Sequence, residues 1–488
     1  MSAPTLPAVE ALRNFDVAAF VNRRRHGLVL SALVMLASTA YSVLGLVKLA
    51  TFRASIFDLV IFDQALRGYA GFGAPTAPSV GMQYAGRMDF VQLADHFSPI
   101  LALLTPLYWL GGGPRTLIVA QGVLLALAAI PIWRYTERRL GVVPAHLVAV
   151  AYAVSWPVAQ AAGFDFHEVA FVPLLSAIMI ERFDADRMAA GVVAAIGLLL
   201  VKEDMGLLVA GFGMYLFVTR RRFEGAAFIL FALGALVVIR SGLMPMAGAS
   251  TAGFHWAYGN LGASLGEVAL SLARDPLGAL WQMVSPEAKV DTLAFLLWPV
   301  LLTALLSPLT LAAIPLVAER FLADRPQWWG TEYHYNAFIV VILLCAAVDG
   351  TARLAERFRG RNLATHWAVA VCVIGLTLVP RFALGNLLEP AFYEGEPYVA
   401  AAREAVANVP DGVVVEAANA VGPALTSRTT VLLWGPKAYD APWIVADVAR
   451  WTFPFGEFAM QRRRVDEALA KGYRKVFERD GYIVLNRP

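Results

Sequence analysis

Apolar side chains run along this chain in stretches too long and too numerous for a water-soluble core. Such runs fall at about 27–49, 115–133, 142–162, 168–181, 189–201, 205–219, 225–242, 292–306, 308–319, 336–350 and 364–382. A straight helix needs about 20 apolar residues to cross a bilayer. The pattern therefore predicts about eleven helical spans, several of them short, and the runs flanking Lys202-Glu203-Asp204 could equally form one re-entrant hairpin. Leu101–Leu110 is apolar too, but it sits between Pro99, Pro106 and Gly111-Gly112-Gly113. It reads as a helix lying against the membrane or entering it partway. From about Leu387 the pattern changes. Helix-like stretches at Ala400–Asn408 and Val465–Lys471 alternate with short β-rich pieces at Val413–Glu416, Thr430–Leu433 and Tyr482–Leu485, with turns at Asp411-Gly412 and Asp480-Gly481.

Composition agrees with lipid as the solvent: 58% of residues are hydrophobic and only 16% charged, against about a quarter charged in soluble domains. The net charge of +3 and the lack of a basic tract interleaved with aromatics speak against nucleic acid. Cys345 and Cys372 both lie in apolar runs, as small buried hydrophobes rather than a disulfide or zinc framework. Gly422 and Gly435 are isolated, so no glycine-rich phosphate loop supports nucleotide binding.

Charge asymmetry orients the spans. With the N-terminus in the cytoplasm, the inner segments are 1–26, 134–141, 182–188, 220–224 and 351–363, and they hold Arg23-Arg24-Arg25, Arg134, Arg138-Arg139, Arg182, Arg187, Arg220-Arg221-Arg222, Arg353, Arg357, Arg359 and Arg361. The outer segments are longer, poorer in basic residues and rich in carboxylates, which is the positive-inside pattern. The expected organisation is a cytoplasmic N-terminus over 1–26, without a cleavable leader, and a transmembrane domain over 27–383 with its first loop facing outward. A small extracytoplasmic α/β domain covers 384–488. The fold class is an all-α polytopic membrane protein with that α/β appendage.

Five polar motifs then fall on the outer face. In Phe57-Asp58-Leu59-Val60-Ile61-Phe62-Asp63-Gln64, the two carboxylates stand five residues apart, about 140° around a helix, so they do not share a face closely. An unpaired carboxylate among such apolar neighbours is costly; the bland alternative is a pair of water-facing interfacial charges. Asp95-His96-Phe97-Ser98-Pro99 and Asp165-Phe166-His167-Glu168 each set an acid beside a histidine, which raises the imidazole pKa toward the working range. Their bland readings are an N-cap at Asp95 and a polar turn at Asp165–Glu168. Lys202-Glu203-Asp204 places three ionisable residues at membrane depth, or else in a wet hairpin turn. In Trp328-Trp329-Gly330-Thr331-Glu332-Tyr333-His334-Tyr335 the aromatics suit an interfacial belt, leaving Glu332 and His334 to explain. Neither histidine motif alone supplies the three or four ligands of a metal site.

This ordered series, 57–66, 95–99, 165–168, 202–204 and 333–335, resembles that of a bacterial family of polytopic membrane proteins grouped with the GT-C superfamily of glycosyltransferases. The resemblance covers nearly the whole chain. It implies a GT-C-like fold in the bacterial cytoplasmic (inner) membrane and transfer of sugar from a polyprenyl-phosphate donor to a lipid, glycan or protein acceptor on the outer leaflet. It also implies juxtamembrane helices in the first outer loop, 51–114, and a general-base carboxylate near the start of that loop, where Asp58 matches best and Asp63 second. Lys202, His167, His334, Arg53 and Arg320 are the candidates for the donor phosphate, Lys202 first. Asp95, His96, Asp165, Glu168, Glu203, Asp204, Glu332 and Tyr333 are further polar residues expected around the cavity. No paired acidic metal motif is present, so neither a metal nor another cofactor is expected. The competing class is a transporter or flippase for a lipid-linked or small anionic substrate, which ionisable residues at helix breaks would also suit.

Overall fold

The structure, a computed structural model, describes residues 17–249, 256–358 and 362–487. Most of the expected N-terminal segment 1–26, together with Arg359 and Arg361, lies outside the described residues.

Among the described residues, six helices are long and apolar enough to cross a membrane: Arg24–Ala50, Pro114–Leu140, Val142–Gly163, Arg222–Met246, His334–Phe358 and Leu363–Arg381. They contain six of the eleven apolar runs. The other five form shorter helices, and the sequence shows why. Phe171–Asp184, Met188–Leu199 and Met205–Val218 have 14, 12 and 14 residues. At 1.5 Å per residue the longest spans about 21 Å. The run at 292–306 yields a helix only over Glu287–Leu297. Pro299 follows, then Leu301 and Leu302 in succession with φ of 54° and 59°, a left-handed pair that no α-helix continues through. The run at 308–319 gives a 3₁₀ turn and the eight-residue helix Ile314–Phe321. Leu101–Leu110 falls into a 3₁₀ segment, Pro99–Leu104, and a five-residue helix, Thr105–Trp109.

Small residues let these helices approach closely. A Cβ on Gly225 would stand 2.5 Å from the Phe217 backbone nitrogen, so Met205–Val218 and Arg222–Val238 pack nearly backbone to backbone. At one end, the expected inner segments are tied by ion pairs. Arg138 reaches Glu181 (2.7 Å) and Asp184 (2.9 Å), Arg139 reaches Asp184 (2.6 Å) and Asp349 (2.8 Å), and Arg353 reaches Asp349 (2.7 Å). Arg221 pairs with Asp186 in the same cluster of connections. Since successive helices alternate in direction, segments 51–113, 164–170 and 200–204 lie at the opposite end.

The C-terminal region holds a five-stranded mixed sheet of β1 (Val414–Ala417), β2 (Thr430–Leu433), β3 (Trp443–Asp447), β4 (Arg474–Arg479) and β5 (Tyr482–Asn486). The order is β2-β1-β3-β5-β4, parallel across β2-β1-β3 and antiparallel across β3-β5-β4. Helices Tyr398–Ala407 and Phe458–Ala470 pack with it. Its core also takes Phe52, Ile56 and Val60 from the first loop, so loop and sheet share one hydrophobic cluster.

Candidate functional site

At the end away from the arginine–carboxylate cluster, a cavity of about 600 Å³ opens between the first loop, the turns at 164–167 and 202–204, and segment 319–335. That volume suits a small-molecule site. The cavity gathers residues from all five polar motifs: Asp58; Asp95 and His96; His167; Lys202, Glu203 and Asp204; Tyr333 and His334, with Arg320 beside them.

Asp58 stands in a kink between Ser55 and Ile61 rather than on a helix shared with Asp63. Its φ of 73° and ψ of −69° put a non-glycine residue in a strained γ-turn, a conformation costing about 1–3 kcal/mol. Two anchors hold the turn. Asp165 accepts hydrogen bonds from the Ser55 N–H (2.8 Å) and hydroxyl (2.7 Å), while its other oxygen lies 3.6 Å from Lys48 Nζ. Asn419, from the C-terminal region, accepts from the Ile56 N–H with both its carbonyl and its side-chain oxygen, each at 3.0 Å. Phe453 adds an edge contact to Phe57 at 5.1 Å, and both Asn419 and Phe453 line the cavity.

Asp58 Oδ1 faces His167 Nε2 at 3.9 Å. Behind the imidazole, Glu168 is wholly buried, with one oxygen 2.8 Å from His167 Nδ1 and the other 3.5 Å from Lys202 Nζ. His167 stacks on His334 at 4.1 Å. Both ring nitrogens of the buried His334 lack a hydrogen-bond partner among the described residues, as do one Arg320 Nη and Asp204 Oδ1. Buried polar atoms are rarely left unmet, so in the open cavity these groups are available to water or to a polar ligand. On the next turn Glu203 binds His96 Nδ1 (3.1 Å) and accepts from the Phe97 N–H (3.1 Å).

The electrostatics divide the two histidines, although an adjacent acid is expected to raise both. For His96, burial and Lys202 oppose the charge, but Glu203 and Asp95 win and push it up to about 9. For His167 that expectation fails: burial, with Lys202 and His96 as like charges, holds it well below the usual value, so the ring is neutral. Burial also disfavours the Lys202 ammonium, yet Glu168, Asp204 and Glu203 raise its pKa and keep it charged. Asp58 is pushed up to about 8, first by burial and then by the nearby Glu168 and Asp165 carboxylates, with Lys202 and His96 pulling the other way.

Several sequence candidates lie elsewhere. Asp63 is fully buried away from the cavity, accepting from the Tyr108 hydroxyl (2.8 Å) and the Thr426 hydroxyl (2.8 Å), with Arg67 at 3.3 Å. It docks the helix Ile61–Ala70 against the C-terminal region. Arg53 donates to Thr51 and to the Phe392 carbonyl and stacks on the Phe392 ring; with Glu332 it borders a separate recess. Asp165 and Glu168 stand one layer behind the cavity wall. Among the described residues no group of His, Cys, Asp and Glu converges as metal ligands. The cavity also holds residues that the motif series does not include: Arg240, Glu319, Arg325, Tyr84, Asn419 and Phe453. A lone arginine in the apolar run 225–242, and a glutamate beside Arg320, are the sequence signals for two of them. Trp328 and Tyr335, which read as an interfacial belt, line the cavity as well.

Fold and site together define a multi-pass helical membrane protein with a polar, partly unsatisfied cavity at one end. The chain belongs to the DUF2079 family, described as "Predicted membrane protein", whose model matches residues 48–484. A family of polytopic membrane proteins is what the motif series leads one to expect. Comparison with curated proteins gives no match. Among solved structures, it is similar to the oligosaccharyltransferase of Archaeoglobus fulgidus in complex with zinc and sulfate, at 12% identity and a TM-score of 0.46, covering 85% of this chain and 68% of the other. The archaeal oligosaccharyltransferase AglB of that organism, with an inhibitory peptide and a dolichol-phosphate, aligns at 12% identity and 0.43 over 86% and 69%. The A. fulgidus enzyme tethered to an acceptor peptide aligns at 12% and 0.44 over 94% and 74%. TM-scores of this size lie below the level at which a shared fold is recognised.

Proposed function

We propose that this protein is a GT-C-type glycosyltransferase of the bacterial cytoplasmic membrane, moving a sugar from a polyprenyl-phosphate donor to an acceptor on the extracytoplasmic side. The observation that carries the reading is a single cavity bordered by a carboxyl in a strained turn, Asp58, and by a buried cation, Lys202, with neutral His167 between them. A glycosyl displacement needs a base at the acceptor and a cation at the leaving phosphate. The ordered motif series supports the same class, and the arginine-rich opposite end supports the orientation.

In this mechanism Asp58 takes the proton of the acceptor hydroxyl as that oxygen bonds to the anomeric carbon. The bond from the same carbon to the phosphate oxygen breaks, and its electron pair leaves with the polyprenyl phosphate. One displacement inverts the anomeric configuration. Lys202 and Arg320 supply charge to the departing phosphate, and a ring N–H of His334 supplies a further donor. A carboxyl with a pKa of about 8 is well matched to proton abstraction near neutral pH. Arg53 lines the separate recess rather than this cavity and is left out of the proposed donor site.

The test is transfer from a panel of polyprenyl-phosphate sugars by the full chain in liposomes, wild type against Asp58→Asn, both checked for folding. Loss of turnover by about 10²-fold or more is expected for the variant. Full activity in Asp58→Asn refutes the base, and substrate flux across the bilayer without transfer from any donor refutes the transferase in favour of a transporter.

A further inference from the structure

We propose that a second recess, behind Phe164, binds the phosphate headgroup of an anionic membrane lipid. The recess measures about 430 Å³ and is bordered by Lys48, Arg53 and Arg381, with Glu332 as its one carboxylate. Phe164 lines both this recess and the larger cavity, so its ring separates them. This inference does not depend on the transferase reading.

Three observations carry it. First, the cations are held in place but largely unneutralised. Arg53 stacks on Phe392 at 4.7 Å and Arg381 on Phe295 at 4.7 Å, and among the described residues neither has a carboxylate within ion-pair distance. Lys48 shares Asp165 at 3.6 Å and lies 5.8 Å from the Phe164 ring centre. An arginine fork fixed by an aromatic face is suited to a phosphate. Second, the recess sits where three spans end together: Arg24–Ala50, Val142–Gly163 and Leu363–Arg381. Two of these carry exposed apolar side chains such as Leu36 and Val373, the surface a lipid chain would cover. A headgroup at this level would meet the cations while its chains follow those helices. Third, the cluster lies at the end opposite the arginine–carboxylate connections, so the positive-inside bias that gathers arginines at that other end does not account for it.

The test titrates the detergent-purified full chain with short-chain phosphatidylglycerol and follows the thermal midpoint. Phosphatidylglycerol should raise the midpoint, while phosphatidylcholine and inorganic phosphate at the same concentration should not. Arg53→Gln with Arg381→Gln should weaken the phosphatidylglycerol response by about tenfold or more, the worth of one charge-assisted hydrogen bond. Arg381 is exposed, so Arg381→Gln alone keeps the fold and should give part of that loss. Arg240→Gln, on the wall of the other cavity, should keep the response. An unchanged response in the Arg53 and Arg381 variants, or its loss in Arg240→Gln instead, overturns the site. An equal response to inorganic phosphate or to phosphatidylcholine overturns the lipid assignment.

Discussion

Replacing Asp63 should destabilise the protein while leaving its chemistry intact, the reverse of what Asp58 variants should do. Asp63 has no solvent exposure, and its two oxygens each accept a hydroxyl at 2.8 Å, one from Tyr108 and one from Thr426. Hydrogen bonds to a charged group contribute about 1.5–3 kcal/mol each, and losing one member of a buried charged network costs about 3–5 kcal/mol. Asp63→Ala leaves two buried hydroxyls and Arg67 without their acceptor, so about 3–5 kcal/mol is expected. Asp63→Asn keeps one acceptor oxygen and should lose about half of that. The assay is thermal unfolding of the detergent-solubilised chain, paired with transfer activity measured well below the midpoint. Activity of the folded fraction should stay within about threefold of wild type, since a residue outside the cavity supplies no transition-state contact. An Asp63→Asn protein with an unchanged midpoint and abolished transfer would refute this division of roles and make Asp63 the base.

Transfer rate should rise with pH along a limb centred near 8, because only the ionised Asp58 accepts a proton and that form accumulates above its pKa of about 8; a pH profile of kcat/KM checks it. His96 is raised from 6.5 to about 9, so the stability it contributes is complete below 6.5 and is lost as pH rises through 9. Thermal midpoints across that window should fall less steeply in His96→Gln than in wild type. Asn419→Ala removes the side-chain acceptor that helps hold Ile56 and, through it, the Asp58 turn. Its kcat should drop about tenfold with donor KM little changed, as expected when a reacting group is misplaced and the groups that bind the donor stay where they are.

The residues most legible in the sequence are those whose chemistry conflicts with their surroundings. Lys202, Glu203 and Asp204 interrupt an apolar stretch, and His167 and His334 sit at span ends beside carboxylates; the cavity collects all of them. Spacing alone misleads where the backbone departs from a helix. It puts Asp58 and Asp63 on one helix about 140° apart, but the left-handed turn at Asp58 aims the two carboxyls into different environments. Non-glycine residues adopt that turn under tertiary constraint, here from Asn419 more than 350 residues away, and local sequence carries no sign of it. The same limit hides Phe453. The sheet is half visible for a related reason. Buried β1, β2 and β5 are short apolar runs, whereas β4, Arg-Lys-Val-Phe-Glu-Arg, is an exposed edge whose charges mask it. The apolar run at 292–306 reads as a span because its left-handed leucines resemble any others in one-letter code.

The most direct measurement is the location of the phosphorus atom in a structure of the full chain bound to a polyprenyl phosphate. It is expected within hydrogen-bonding reach of Lys202 Nζ and the unsatisfied nitrogens of His334, with the vacated sugar position facing Asp58. A cavity left empty of phosphate, with the phosphorus found only beyond reach of Lys202, would contradict the assignment of the cavity as the donor site.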